Sequence, residues 1–366
     1  MNSTIIIGGG VIGLLTALEL HKAGQKVTII DRQALGQESS WAGGGIISPL
    51  FPWRYPEAIT RLATLSQQIY PELLDHMQQA TGKDPEFLPS GMLVLGDYDD
   101  ENPQQWANQH KINMQKVDSQ QIHQLAPEIS DQWQTGWWFP EVHQVRNPKL
   151  VKLLKAYLQT TDITVIENEP VNEIVIQQDT VTAVRTDAAT YHADQFVIAG
   201  GAWSSLLLEQ TGINIGIKPV KGQMLLLKGA PDLVKRITLS EDRYIIPRKD
   251  GHVLVGSTTE DAGFDKSTST EIRQQLLDYA IRTIPTLASC SIQQQWSGLR
   301  PGSSNGLPKI GQHPELTNLF INSGHYRNGL VMAPASTRLL SEIMLHTKTC
   351  LPEHDYTPRD ALHNNK

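Results

Sequence analysis

Gly8, Gly10 and Gly13 form the spacing G-x-G-x-x-G, Asp31 closes the next apolar run, and Arg300 stands alone in SGLRPGSSNGLPKIG, Ser297 to Gly311. The glycines suit a dinucleotide. The first permits a tight strand-to-helix turn, the second lets backbone approach a pyrophosphate, and the third lets helix and strand pack closely. The helix N-terminus behind them offers free N–H groups and a positive dipole end. Asp31 can accept hydrogen bonds from an adenosine ribose, and its charge disfavours a 2′-phosphate, which argues against NADP. Arg300 poses a choice. Gly and Pro on both sides predict a surface turn, where a cation is ordinarily solvated. The same residues can also fix a backbone so that one side chain points inward. Held inward, a guanidinium fork matches both oxygens of a carboxylate, and Arg300 becomes the anchor of an anionic substrate.

The elements that must position these residues are legible in part. Thr4 to Ile7 is a short apolar run without helical period, as for a buried parallel strand. From Val11 the spacing of Leu14, Leu15 and Leu18 is helical, and Gly24 stands where a C′ glycine ends a helix. Val27 to Ile30 is a second strand, ending at Asp31. Strand, glycine turn, helix, strand and acid thus occur in the order that a dinucleotide site needs. The fingerprint does not choose between NAD and FAD. The stretch GQESSWAGGGIISP, Gly36 to Pro49, points to a large flat ligand, because its small residues let backbone come close and present N–H groups to ring heteroatoms.

Thr164 to Ile166 and Gln195 to Ala199 read as further strands of the same sheet, the latter followed by a Gly200-Gly201-Ala202-Trp203 turn and a helical Ser204 to Gln210. Leu319 to Ile321, a turn containing Gly324, Asn328 and Gly329, and a helix from about Ala335 to His346 repeat the opening pattern. A cofactor domain is therefore expected from residues 1–82, 143–217 and 297–366. Residues 83–142 read as a strand, Gly91 to Leu95, followed by a polar, Gln-rich helical part, and residues 218–296 read mostly as strands (Gln223 to Leu227, Tyr244 to Pro247, His252 to Val255), with a helix from Thr270 to Ile284. The expected fold is α/β (α+β overall): a Rossmann-like domain of separated segments and a second, mainly antiparallel-sheet substrate domain, with the ligand site where they meet.

At 366 residues the chain is long for one core, so two domains is the natural expectation. A balance of 31 basic against 38 acidic residues gives no basic surface for nucleic acid or an anionic membrane. No apolar stretch approaches a membrane span. Met1 leads almost directly into Ile5-Ile6-Ile7 without a basic leader, and two cysteines make no disulfide framework, so the expected location is the cytoplasm. The histidines show no metal-ligand spacing and no nucleophile triad is evident.

Taken together, IIIGGGVIGLLTALEL, VIAGGAWS, PVKGQ, YIIPR, GLRPGSSNGLPKIG and GHYRNGLVMAP resemble the D-amino-acid oxidase superfamily, from Thr4 to about Met344, and within it the glycine oxidases of thiamine biosynthesis (ThiO type). The resemblance implies non-covalent FAD. It also implies oxidation of glycine and other small amino acids to the imine, dioxygen as acceptor, peroxide as product and a homo-oligomer, a tetramer in the family. Carried over by position, FAD contacts fall on the fingerprint with Val11 and Ile12, on Asp31 and Arg32, and on Ser39 and Ser40. They continue on Gly44, Gly45 and Ile46, on Val171, and on the turn Gly324, His325, Tyr326, Arg327, Asn328, Gly329, Leu330 and Val331. Substrate contacts fall on Tyr244, Arg300 and Arg327, with Asp242 and Thr259 at pocket-lining positions that vary within the family. His325 reads either as a base or as a structural histidine of the cofactor turn. The GHYRNG turn has no counterpart of the cysteine that binds flavin covalently in monomeric sarcosine oxidases. The chemistry implied needs Cα–H aimed at flavin N5 and a neutral amine, with no side-chain base, so the protein's task is chiefly positioning. Alternatives from the residues alone are a D-amino-acid dehydrogenase using a quinone or other carrier, a flavin-binding partner protein without turnover, and a nicotinamide-dependent dehydrogenase.

Overall fold

The computed structural model describes residues 2–359, so Met1 and residues 360–366 of the expected ranges lie outside the described residues. Ser3–Ile7 is central in a six-stranded sheet, flanked by Lys26–Ile30 and Thr164–Ile166 on one side and by Gln195–Ile198, Leu319–Ser323 and Lys309–Gln312 on the other. All pairs are parallel except the last. Alternation sends Ile6, Ile29 and Val197 to one face, against the helices Val11–Lys22 and Gly329–Met344. Ile5, Ile7, Ile30 and Ile198 go to the other face, against Ile174, Val181 and Val184. Burial on both faces explains why these strands read as continuous apolar runs. The second cover is a three-stranded sheet, Glu173–Gln177, Thr180–Arg185 and Thr190–Tyr191, which the sequence reading did not anticipate.

The larger sheet has eight strands in the order Ser291–Ser303, Ile217–Lys228, His252–Gly256, Arg243–Pro247, Ile237–Ser240, Met92–Leu95, Thr135–Phe139 and Gln115–Asp118. Ile237–Ser240 pairs in parallel with Met92–Leu95, and every other pair is antiparallel. Fold class and layering agree with the α/β, mainly antiparallel expectation.

Three local expectations change. Arg300 is not in a turn: it lies on the strand Ser291–Ser303, opposite Val220. That strand is an edge, and Pro301 faces Pro219 beyond the stretch Met224–Lys228 that pairs on the other side. A proline there removes no ladder bond the sheet needs, so breakers in the sequence did not break the strand. The expected division between residues 296 and 297 falls inside the same strand, whose pairing places it with the larger sheet through Ser303. Finally, the last helix begins at Gly329 and runs through Pro334. Proline cannot donate to the Leu330 carbonyl, but the Tyr70 hydroxyl does so instead, which offsets the lost hydrogen bond of a proline within a helix.

Candidate active site

A cavity with about 1170 Å3 of empty space, part of it open to solvent, lies between the carboxyl ends of the parallel strands and the larger sheet. This is where open α/β sheets place ligands. One end is the glycine turn. Gly8 has φ +115°, and a Cβ there would lie 2.4 Å from the Ala199 carbonyl oxygen; at Gly13 it would lie 1.8 Å from that of Gly8. Gly8 and Gly13 therefore close the turn without lining the cavity, whereas Gly10, Val11 and Ile12 form its wall at the helix N-terminus. Asp31 supports the turn from behind. Its Oδ2 accepts from Gly9 N at 2.6 Å and its Oδ1 from Gln33 N at 2.9 Å. Burial pushes this carboxyl up, and the two backbone bonds oppose the shift. Arg32 points elsewhere, stacked 3.7 Å over Trp203 and paired with Glu38 at 2.7 Å. Val171 packs against the apolar cluster below the sheet. Asp31, Arg32 and Val171 are not in the cavity wall.

The glycine-rich segment forms the middle of the wall. The Ser40 hydroxyl accepts from Val11 N at 2.8 Å, and the Ser39 hydroxyl donates to the Leu299 carbonyl. Both line the cavity with Gly44, Gly45 and Ile46. The amides of Gly44, Gly45 and Ile46 have no hydrogen-bond partner among the described residues. Gly45 is obligatory: φ is +82°, and a Cβ would lie 2.0 Å from the Val145 carbonyl oxygen. A row of free amides at a wall made largely of glycine backbone suits a flat ring with acceptor atoms.

The far end comes from the last helix. His325, Tyr326, Arg327, Gly329, Leu330 and Val331 line the cavity, while Gly324 and Asn328 shape the turn from outside it. His325 is buried, and burial pushes its imidazole down to about 3, so it is neutral. The Ser336 hydroxyl donates to Asn322 Oδ1 at 2.7 Å and so accepts from His325 Nε2 at 2.7 Å, which fixes the Nε2–H tautomer. Its Nε2 is thus engaged within the protein.

Arg300, Tyr244 and Arg327 do meet in the wall. Arg300 Nη2 donates to Ser257 Oγ at 2.6 Å and Nη1 to the Thr258 carbonyl at 3.1 Å, and no carboxylate among the described residues pairs with it. Its guanidinium lies flat on Gly222, where a Cβ would be 2.2 Å from Nη2. Burial holds Arg300 below the usual guanidinium range, neighbouring Arg327 adds to this, and Tyr244 opposes it. The buried Tyr244 hydroxyl has only the Met224 thioether as acceptor, at 3.3 Å. Arg327 donates to the Asp242 carbonyl at 3.2 Å. Two expectations are corrected here. Thr259 is exposed, and Asp242 turns its carboxylate outward to Arg54, because the hairpin turn Glu241-Asp242 has both residues at positive φ. The residues lining the pocket at that side are Ser257 and Gly222.

Sequence reading also missed Arg248, Asn147 and Asn322. Asn147 Nδ2 donates to the Ser40 carbonyl at 2.8 Å and fixes the serine turn; nothing in its local sequence marks it. The wall thus brings together a guanidinium paired with no carboxylate among the described residues and a row of free backbone amides. Among the described residues there is also no group of side chains able to hold a metal ion.

Comparison with known proteins identifies the family. The family described as FAD dependent oxidoreductase (DAO) matches residues 3–343. The chain is 42% identical over 359 residues to a glycine oxidase of Pseudomonas aeruginosa, covering 98% of this chain and 99% of that one. It is 32% identical to the bifunctional protein ThiO/ThiG of Trichormus variabilis, covering 94% of this chain and 53% of that one. The crystal structure of glycine oxidase from Geobacillus kaustophilus superposes with a TM-score of 0.92 at 25% identity, covering 98% of this chain and 99% of that one. This chain belongs to the DAO family of FAD-dependent oxidoreductases.

Proposed function

We propose that the protein oxidises glycine, and with it sarcosine and D-alanine, to the corresponding imine, with dioxygen as electron acceptor and hydrogen peroxide as product. Bound FAD supplies the hydride acceptor. Gly10 to Ile12, Ser39, Ser40, Gly44 to Ile46 and the helix end at Gly329 to Val331 would hold it, by free amides and by backbone that approaches closely.

The observation that carries the substrate reading is Arg300: a half-buried guanidinium facing the cavity, with neutral partners only. A cation that faces a cavity in this way is most strongly stabilised by an anion entering beside it. A substrate carboxylate supplies the anion, and the Tyr244 hydroxyl, tied to no better acceptor than a thioether, adds a hydrogen bond to it. Anchoring the carboxylate leaves the Cα–H to be aimed at the cofactor. Loss of hydride from Cα and of one proton from a neutral amine gives the imine, which water hydrolyses to ammonia and, from glycine, glyoxylate. The amine arrives neutral, so the wall needs no base and His325 is not recruited as one.

The relatives named for glycine oxidation and for ThiO support glycine as substrate and a role in supplying glycine imine for the thiazole of thiamine. The same reading takes the larger sheet as the substrate domain and the parallel sheet as the FAD domain. It takes the protein to act in the cytoplasm as a homo-oligomer, with dioxygen and a small amino acid as its partners. No described helix is long and apolar enough to cross a membrane. The test is aerobic turnover with glycine, measuring peroxide against glyoxylate. Equal amounts are expected; dye reduction without peroxide would refute the use of dioxygen.

A further inference from the structure

We propose that Arg248 is a positioning residue for the cofactor: it turns the amides of Gly45 and Ile46 toward FAD and brings a fixed positive charge behind that wall. The inference rests on FAD as the occupant of the cavity and goes beyond the residues that line it, since Arg248 is not among them.

Arg248 follows the strand Arg243–Pro247 and is buried. Its Nη1 donates to Gln144 Oε1 at 2.7 Å and to the Val145 carbonyl at 2.9 Å, and its Nη2 donates to the Gly44 carbonyl at 2.7 Å. One side chain thus ties together the larger sheet, the segment 144–145 and the glycine-rich wall. All three acceptors are neutral. The nearest carboxylates are engaged with other cations: Asp250 with Arg146 at 2.7 Å and Glu86 with Lys149 at 2.6 Å. Burial pulls Arg248 down to about 10, and Arg146 adds to that, but it remains protonated near neutral pH.

A trans peptide points its C=O and N–H in opposite directions. With the Gly44 carbonyl held by Arg248, the Gly45 N–H must point away from it. The Gly45 carbonyl accepts from Val145 N at 2.8 Å, so the Ile46 N–H is likewise turned away from that side. Successive amides of an extended strand alternate. Here Gly45, at φ +82°, lets two in succession face the same way. The result is a concave set of donors in the cavity wall, of the kind that binds anionic or acceptor groups. A charged donor on the Gly44 carbonyl also polarises that peptide and makes the Gly45 N–H a stronger donor. A hydride delivered to a flavin adds negative charge to the ring, so a cation behind the wall favours the reduced cofactor over the oxidised one.

The test compares Arg248→Gln and Arg248→Lys with the parent. It measures the FAD dissociation constant of the apoprotein by fluorescence, the midpoint potential of the FAD-loaded protein, and the melting temperature with and without FAD. Arg248→Gln should bind FAD about tenfold more weakly or worse, lower the potential, and lose part of the melting shift that FAD produces. Arg248→Lys keeps the charge and loses the fork, so it should recover potential more than affinity. A merely structural arginine would lower the apo and FAD-loaded melting temperatures equally and leave the potential unchanged. That result overturns the proposal, as does parental affinity and potential in Arg248→Lys should Arg248→Gln fail to fold. A parent protein that binds no FAD overturns the cofactor premise together with the proposal.

Discussion

Replacing Arg300 by alanine should separate binding from folding. In the complex, the substrate carboxylate would lose its forked cationic partner while staying in a partly dry cavity, with Arg327 left in the same wall. Breaking a buried pair in this way costs about 3–5 kcal/mol, or roughly two to three and a half orders of magnitude in apparent affinity. The free protein is affected differently. The variant loses the hydrogen bonds from the charged Arg300 to Ser257 and Thr258, each worth about 1.5–3 kcal/mol net. Against this, it no longer buries a cation that its surroundings disfavour, as the lowered pKa of Arg300 records. The two effects oppose each other, so the melting temperature should move by only about a few degrees. Anaerobic stopped-flow reduction across a glycine series reads apparent affinity and limiting rate separately. Affinity should collapse, and the limiting rate should fall as well, because an unanchored Cα–H is poorly aimed. Lysine should recover little, since one ammonium cannot reproduce the fork. Parental affinity in a folded, FAD-loaded alanine variant would refute the anchor.

Other outcomes follow from the same geometry. Gly222→Ala places a methyl 2.2 Å from Arg300 Nη2, and the guanidinium is the flexible end of its side chain. The arginine should swing aside, so substrate affinity falls while the melting temperature barely changes; thermal melts beside the glycine titration check this. Tyr244→Phe removes a hydroxyl that the protein gives only to a thioether, so stability should hold. Glycine affinity should drop by about 1.5–3 kcal/mol, as for a hydrogen bond to a charged group. His325, held down to about 3 against an ordinary value of 6.5, destabilises the fold in acid. Its folded pKa is depressed, so its contribution is complete above about pH 6.5 and is lost as pH falls toward the folded value. The loss is about 1.4 kcal/mol per pH unit in that window. Denaturant melts of parent and His325→Gln should diverge in slope between those limits.

Much of the site is legible in the sequence because local constraints write it there. The fingerprint glycines are dictated by contacts with neighbouring backbone, as at Gly8 and Gly13, and Gly45 is dictated by φ and by the Val145 carbonyl. Strands buried on both faces read as Ile5-Ile6-Ile7 and Val27 to Ile30. The missed features are non-local. Arg248 acts through carbonyls over a hundred and over two hundred positions away in sequence, 103 and 204 residues. Asn147 acts through Ser40. Breakers misled twice, each time because of a distant part of the fold. Pro301 is harmless because its strand is an edge, and Pro334 because Tyr70 replaces the missing donor. Neither partner can be read from flanking residues. Asp31 shows a residue with two tasks: its strand-end position marks it, but in the fold its oxygens already hold Gly9 and Gln33.

The most direct test of the account is anaerobic titration of the FAD-loaded protein with glycine, followed by flavin absorbance. Full bleaching by glycine at saturation, restored by air with release of peroxide, is the predicted result. A flavin that stays oxidised at saturating glycine, sarcosine and D-alanine would contradict the assignment of this cavity to small amino acids.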